Sequence, residues 1–106
     1  MCVNVKNSTR YACGGYAYDG VPRISNAPPS SEYLVTIRLG HPDKFPAKLP
    51  HKKHTPPIEV SCWKEGLVVI AAHEAKHIEQ YRDHKPRSEV VCECFAARVL
   101  ERYRVG

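Results

Sequence analysis

At 106 residues the chain has room for one domain around a single hydrophobic core, and the whole of it, 1–106, is read as that domain. Apolar residues make up 42% and charged residues 25%, the balance of a globular protein rather than a disordered tail. The longest apolar run, six residues at 67–72, is far short of the ~20 that span a bilayer, so no membrane partner is expected. The net charge of +5 admits acidic partners without requiring them.

Residues 1–5 lack a basic start followed by a long apolar core, so they do not read as a signal peptide, and the protein is expected in the cytosol. The five cysteines, Cys2, Cys13, Cys62, Cys92 and Cys94, agree. An odd number with no Cys-x-x-Cys pair fits neither a disulfide framework nor a cysteine-built zinc ribbon. They are read as reduced thiols serving as small apolar residues.

Along the first thirty residues little regular pattern is visible. Tyr16-Ala17-Tyr18 and Val21-Pro22-Arg23-Ile24 flank Asp19-Gly20, a hairpin turn signal, with Pro22 confining the second arm to an edge. Residues 26–31 have a loop composition. Tyr33–Leu39 is the clearest strand, with Tyr33, Val35, Ile37 and Leu39 alternating with Leu34, Thr36 and Arg38 to give one apolar face. Residues 40–57 carry five prolines and four lysines and read as a long loop. Ile58-Glu59-Val60 is a short strand candidate.

From Ser61 the pattern becomes helical. A first helix should start at Ser61 or Cys62 and run to about residue 83, and its apolar stretch at 67–72 predicts a helix buried in the middle of the domain. Ser88 is a natural N-cap for a second helix from Glu89 to about residue 104, with Val91, Phe95, Val99 and Tyr103 on its apolar stripe. The expected fold is α+β. In it, a short antiparallel or mixed sheet packs on a buried helix and a second, C-terminal helix.

The chemistry concentrates in His73-Glu74-Ala75-Lys76-His77. Residues four apart on a helix lie one turn apart and about 40° round the axis, so both imidazoles can reach one ion. Glu74, about 100° from His73, sits beside that ion and suits a base acting on water. A catalytic zinc site needs a third protein ligand. His84 lies seven residues beyond His77, about 10 Å along the axis, which is too far. Cys62 would serve only if the segment before the helix folded back. A metzincin would carry Gly and His where the chain has Gln80 and Asp83. Glu89, first residue of the second helix, is the leading third ligand, and Glu93, one turn later, is the alternative; the carboxylate left over would hold an imidazole by a hydrogen bond.

His73-Glu-Ala-Lys-His77-Ile-Glu-Gln-Tyr, followed by Arg87-Ser-Glu-Val-Val-Cys-Glu-Cys-Phe-Ala96, resembles the gluzincin pattern, in which His-Glu-x-x-His precedes Glu-x-x-Ala-Asp on the next helix. Its brevity is similar to the minimal gluzincins and the SprT-like metal-dependent proteins of bacteria and phages. The resemblance spans residues 66–103, with Cys92 and Glu93 standing where the pattern has Ala and Asp. It implies a small zincin-like domain with the buried first helix as the active-site helix, and a zinc metalloprotease, with His73, His77 and Glu89 as zinc ligands, Glu74 as general base and Glu93 in support.

On this reading zinc activates a water and polarises a peptide carbonyl, and Glu74 moves the proton to the leaving amine. The peptide substrate is expected to pair with Tyr33–Leu39. Tyr81, His84, Tyr103 and the loop histidines are candidates for the donor to the developing oxyanion. A different class of function remains: a noncatalytic zinc-stabilised module whose basic loop 41–54 (His41, Lys44, Lys48, His51, Lys52, Lys53, His54) contacts nucleic acid or a protein partner. A third is a deformylase-like amide hydrolase acting on small substrates.

Overall fold

A computed structural model describes residues 2–7, 12–19, 33–49 and 54–106. The expected second hairpin arm at 21–24, the loop at 26–31 and the basic residues 51–53 lie outside the described residues. In chain order the elements are β1 (Cys2–Asn7), β2 (Cys13–Asp19), β3 (Tyr33–Leu39), a 3₁₀ turn (Pro42–Lys44), β4 (Ala47–Lys48), β5 (Glu59–Val60), α1 (Trp63–Arg82) and α2 (Glu89–Val105). The architecture is α+β. A mixed three-stranded sheet in the order β1-β3-β2 is joined by an antiparallel β4-β5 pair.

Two expectations need correcting, and one pairing was not foreseen: Tyr16-Ala17-Tyr18 pairs antiparallel with β3, Ala17 opposite Val35. Residues 2–7, read as patternless, form β1 in parallel register with β3. Their alternation carries no burial signal because Val3 and Val5 are both exposed. The loop at 40–57 contains the 3₁₀ turn and β4, which pairs with β5.

β3 is the central strand, with β1 on one edge and β2 on the other. Leu34, Val35, Thr36 and Ile37 are all buried, so both its faces are covered. It therefore has no free edge for a peptide, contrary to the sequence-based expectation.

The middle layer is α1, packed against β2 and β3 on one side and α2 on the other, as its all-round apolar stretch requires. The two helices run antiparallel: Glu65 meets Arg104, His73 meets Glu93 and His77 meets Glu89. The turn between them closes when His84 enters the left-handed region (φ 56°), with Lys85 N–H donating to Gln80 O (2.8 Å) and His84 N–H to Tyr81 O (3.1 Å). Ser88 caps α2 as expected, its hydroxyl accepting from Val91 N–H at 3.3 Å.

The face of α2 that meets α1 differs from the predicted stripe. Cys92, Ala96 and Leu100 are buried, whereas Val91 (46%) and Tyr103 (48%) are exposed and Phe95 and Val99 only half-buried. Small side chains at Cys92 and Ala96 let the helices approach closely, and a stripe led by Phe95 would hold them apart.

At the far end, Arg104 donates to both oxygens of Glu65 (3.0 and 2.8 Å) and to Glu59 O (2.6 Å). Arg104 and the Ser61 N–H hold the Glu65 carboxyl at about 2, below its ordinary 4.5. A group held low in the folded state adds stability above its unfolded value and loses it as pH falls through the folded one. Glu65→Gln is therefore expected to cost about 1 kcal/mol at neutral pH. In urea denaturation the gap to wild type should close as pH falls from 4.5 towards 2.

Candidate metal centre

His73 and His77 project from one face of α1 toward the N-terminal turn of α2, their rings 4.9 Å apart and 68° from parallel. Both are buried, His77 completely. The apolar stretch that buries α1 forces these two imidazoles to find polar partners inside the protein.

Each ring's orientation follows from its neighbours. Gln80 is fixed by the backbone of Ser88: its Oε1 accepts from Ser88 N–H (3.2 Å) and its Nε2 donates to Ser88 O (3.3 Å). The same Oε1 lies 3.0 Å from His77 Nδ1. An amide oxygen only accepts, so His77 carries its proton on Nδ1 and keeps a lone pair on Nε2. His73 Nδ1 lies 2.5 Å from Glu93 Oε1 and donates to it, which leaves Nε2 as the ring's other functional atom.

Both Nε2 atoms converge on Glu89, His73 on Oε2 at 2.9 Å and His77 on Oε1 at 3.2 Å. His77 Nε2 finds no hydrogen-bond partner. A lone pair facing a carboxylate oxygen in a buried setting is repulsive, and a cation between them removes the repulsion. This arrangement fits a metal held by His73, His77 and Glu89.

The expected residues thus meet at one place, with Glu89 between the two imidazoles and Glu93 behind His73. Glu74 lies alongside, its Oε1 3.9 Å from His73 Nε2 and its Oε2 buried without a partner.

Sequence reasoning missed two contributors. Gln80 fixes the tautomer of His77, and its spacing three residues after His77 on α1 was the available signal. Cys92, read only as an apolar filler, packs its Sγ 3.3 Å from His77 Nδ1. His73, His77 and Cys92 each bring a ligand atom to within 4.8 Å of the others, and such a cluster could hold a metal ion. Cys92 approaches the Nδ1 side of His77, away from the side on which the two Nε2 atoms meet Glu89. The other candidates fall away: Cys62 is the N-cap of α1 and His84 lies exposed on the interhelical turn.

Electrostatics follow the burial. Burial drives the Glu74 carboxyl up to about 7, only partly offset by His73 and Arg87. Burial pulls His73 down, but the Glu93 hydrogen bond and the charges of Glu74, Glu93 and Glu89 outweigh it, leaving it above its ordinary value. Burial lowers His77, with Gln80 resisting. Glu89 is pushed up by burial but ends below its ordinary value because both imidazoles favour the carboxylate. Burial pushes the Cys92 thiol up to about 12.

A cleft of about 300 Å³ opens beside these residues, lined by Cys13, Gly14 and Gly15 of β2 with Leu49, Ile70, His73 and Glu74. Gly15 is required there: a Cβ would come within 2.7 Å of Ile70 Cγ2 and of the Thr36 carbonyl oxygen. Gly40 N–H donates to Ala12 O (2.7 Å), and Ala17 O is taken by Tyr81 and Arg87. By the alternation of an antiparallel ladder, the backbone groups of Cys13 and Gly15 point away from β3.

Set against protein-family models, curated proteins and solved structures, the chain matches none. No helix among the described residues is long and apolar enough to cross a membrane.

Replacing Gln80 with Leu removes the acceptor for two buried N–H groups, those of His77 and Ser88. The variant should lose about 1–3 kcal/mol by chemical denaturation. In NMR, the His77 imidazole should lose the single Nδ1-protonated form expected of the wild type.

Proposed function

We propose that this protein is a zinc-dependent peptide-bond hydrolase, a metalloendopeptidase of the gluzincin type. The observation that carries the reading is the convergence of the His73 and His77 Nε2 atoms on one Glu89 carboxylate, with Glu74 buried alongside. Two imidazoles and one carboxylate are the donor set of a catalytic zinc site, which keeps a further position for water or substrate. Zinc bound there supplies Lewis acidity, lowering the pKa of a coordinated water towards 7 and polarising a carbonyl.

The chain's own residues do the rest. Glu93 and Gln80 hold the imidazoles in the tautomers that present Nε2. Glu74 accepts a proton from the attacking water and returns it to the amine nitrogen as the C–N bond breaks. A buried carboxylate with one oxygen free of any hydrogen-bond partner suits that exchange.

An extended peptide fits along β2, where Cys13 and Gly15 direct backbone N–H and C=O groups outward beside the cleft. The free thiols Cys13, Cys62, Cys92 and Cys94 suit a reducing compartment, in line with a cytosolic placement.

A second reading rests on Cys92. His73, His77 and Cys92 would make a noncatalytic zinc site, stabilising a module whose basic loop 41–54 binds nucleic acid or a protein partner. Glu74 argues for the hydrolase, because a purely structural site has no use for a buried carboxylate beside the metal.

Metal analysis and proteolysis assays on wild type and Glu74→Gln test the proposal. Both should bind one equivalent of zinc, and cleavage of denatured casein should fall at least ~10²-fold in the variant. Equal cleavage by the two proteins refutes Glu74 as base, and no cleavage by zinc-loaded wild type refutes the hydrolase.

The ligand set is tested separately. Glu89→Gln should weaken metal binding by about 10–100-fold or more, while Cys92→Ala leaves it nearly unchanged. The cobalt form should lack a sulfur-to-metal charge-transfer band. Reversed affinities and a strong band would favour the His/His/Cys site.

A further inference from the structure

Hydrolysis at this site, on the reading just proposed, needs a donor for the negative charge that grows on the substrate carbonyl oxygen. We propose that Arg87 is that donor. It stands at the start of α2, two residues before Glu89, and its guanidinium reaches back over the end of α1 to β2.

Among the candidates that the structure describes, Tyr81 is engaged and Tyr103 is distant. The Tyr81 hydroxyl donates to Ala17 O (3.0 Å) and itself accepts from Arg87, so its proton is committed to joining α1 to the sheet. Tyr103 is exposed and lies ten residues beyond Glu93, about 15 Å along α2. His84 sits on the exposed turn. His41 caps the 3₁₀ turn, its Nδ1 accepting from Asp43 N–H.

Arg87 has both the position and the spare donors. Nη1 donates to Ala17 O (3.3 Å) and to the Tyr81 hydroxyl, and the guanidinium lies 4.6 Å over the Tyr16 ring. These contacts hold the group rigidly. Nη2 lies 3.4 Å from Glu89 Oε1, which is itself 3.2 Å from His77 Nε2. One carboxylate therefore separates the guanidinium from the His77 imidazole, one of the proposed metal ligands.

A guanidinium has five N–H donors, and the contacts at Nη1 and Nη2 leave the Nε–H and one Nη2–H without a partner among the described residues. The charge of Arg87 also acts on Glu74 and His77.

The step balances without proton transfer to arginine. The water oxygen bonds to the carbonyl carbon, the C=O π pair moves to oxygen, and Glu74 takes the water's proton. Arg87 hydrogen-bonds that oxygen until the pair returns and the C–N bond breaks to the amine, which takes the proton from Glu74. A donor preorganised toward developing charge contributes to kcat rather than to ground-state binding.

The test compares wild type, Arg87→Gln, Arg87→Lys and Arg87→Ala as zinc-loaded full chains, on the peptide bond that wild type cuts in denatured casein. Arg87→Gln should lose about 10²–10³ in kcat with KM within about twofold of wild type. Arg87→Lys should recover part of the loss, and free guanidinium at concentrations that do not unfold the protein should restore activity to Arg87→Ala.

A phosphinic analogue of the same bond gives a readout separate from turnover. By calorimetry its affinity should fall by the same factor as kcat/KM in Arg87→Gln, with zinc content unchanged. An active, folded Arg87→Gln with wild-type kcat and wild-type phosphinate affinity overturns the assignment alone. A loss carried wholly by KM, or one that guanidinium never restores, overturns it as well. Absence of cleavage by zinc-loaded wild type overturns the hydrolase reading and this assignment together.

Discussion

The structure turns on the burial of two imidazoles between antiparallel helices. A histidine that is fully enclosed, as His77 is, needs a partner for both ring nitrogens, since each one left alone costs about 1–3 kcal/mol. The Nδ1 partner comes from α1 itself, oriented by the turn that leads into α2, while α2 faces Nε2, which has no hydrogen-bond partner. Gln80, held by Ser88, answers one nitrogen, and Glu89 faces the other. The closeness of the two helices, set by Cys92 and Ala96 at their contact, is therefore a condition for the polar site as well as for the core. Larger side chains at that contact would carry Glu89 and Glu93 out of reach of the imidazoles.

Charge sharpens the same point. Three carboxylates, Glu74, Glu89 and Glu93, crowd around two imidazoles, with Arg87 as the nearby guanidinium. Carboxylates at such spacing raise one another's affinity for a proton or a cation. Glu74, the most enclosed of them, rises to about 7 chiefly because burial penalises its charged form, with Glu89 and Glu93 adding a smaller push. Under the proposed reading a divalent cation takes the place that protons fill in its absence. Glu74 is then poised to exchange a proton with a substrate water.

The sheet supplies the access. With β1 and β2 on the flanks, β3 serves only as the spine, and the strand that borders the site is β2. The Gly14-Gly15 pair keeps that border low. A side chain at Gly15 would strike α1 at Ile70 and the β3 backbone, and it would crowd Glu74 at 3.3 Å. Among the described residues, the beginning of β2 has no strand on its outer edge beside the cleft, while Tyr81 and Arg87 close the edge at Ala17.

Much of the site was legible in the sequence because it is written at fixed spacings on helices. His73, Glu74 and His77 fall on one helical face by geometry alone, and Ser88 announces the start of α2, so Glu89 and Glu93 could be named as partners before any fold was known. The burial of α1 was likewise readable from its apolar stretch. Contacts between elements were not legible. That β3 is central, that residues 2–7 pair with it in parallel, and that α2 turns Cys92 and Ala96 inward rather than Val91 and Tyr103 are choices among packings with similar local pattern. Long-range contacts settle them, and no periodicity records those. Gln80, Cys92 and Arg87 acquire their roles only once Ser88, His77 and Ala17, distant in the chain or on another element, are brought beside them. Local spacing determined which groups share a helical face, and only the closure of α2 and β2 around α1 decided what each group touches.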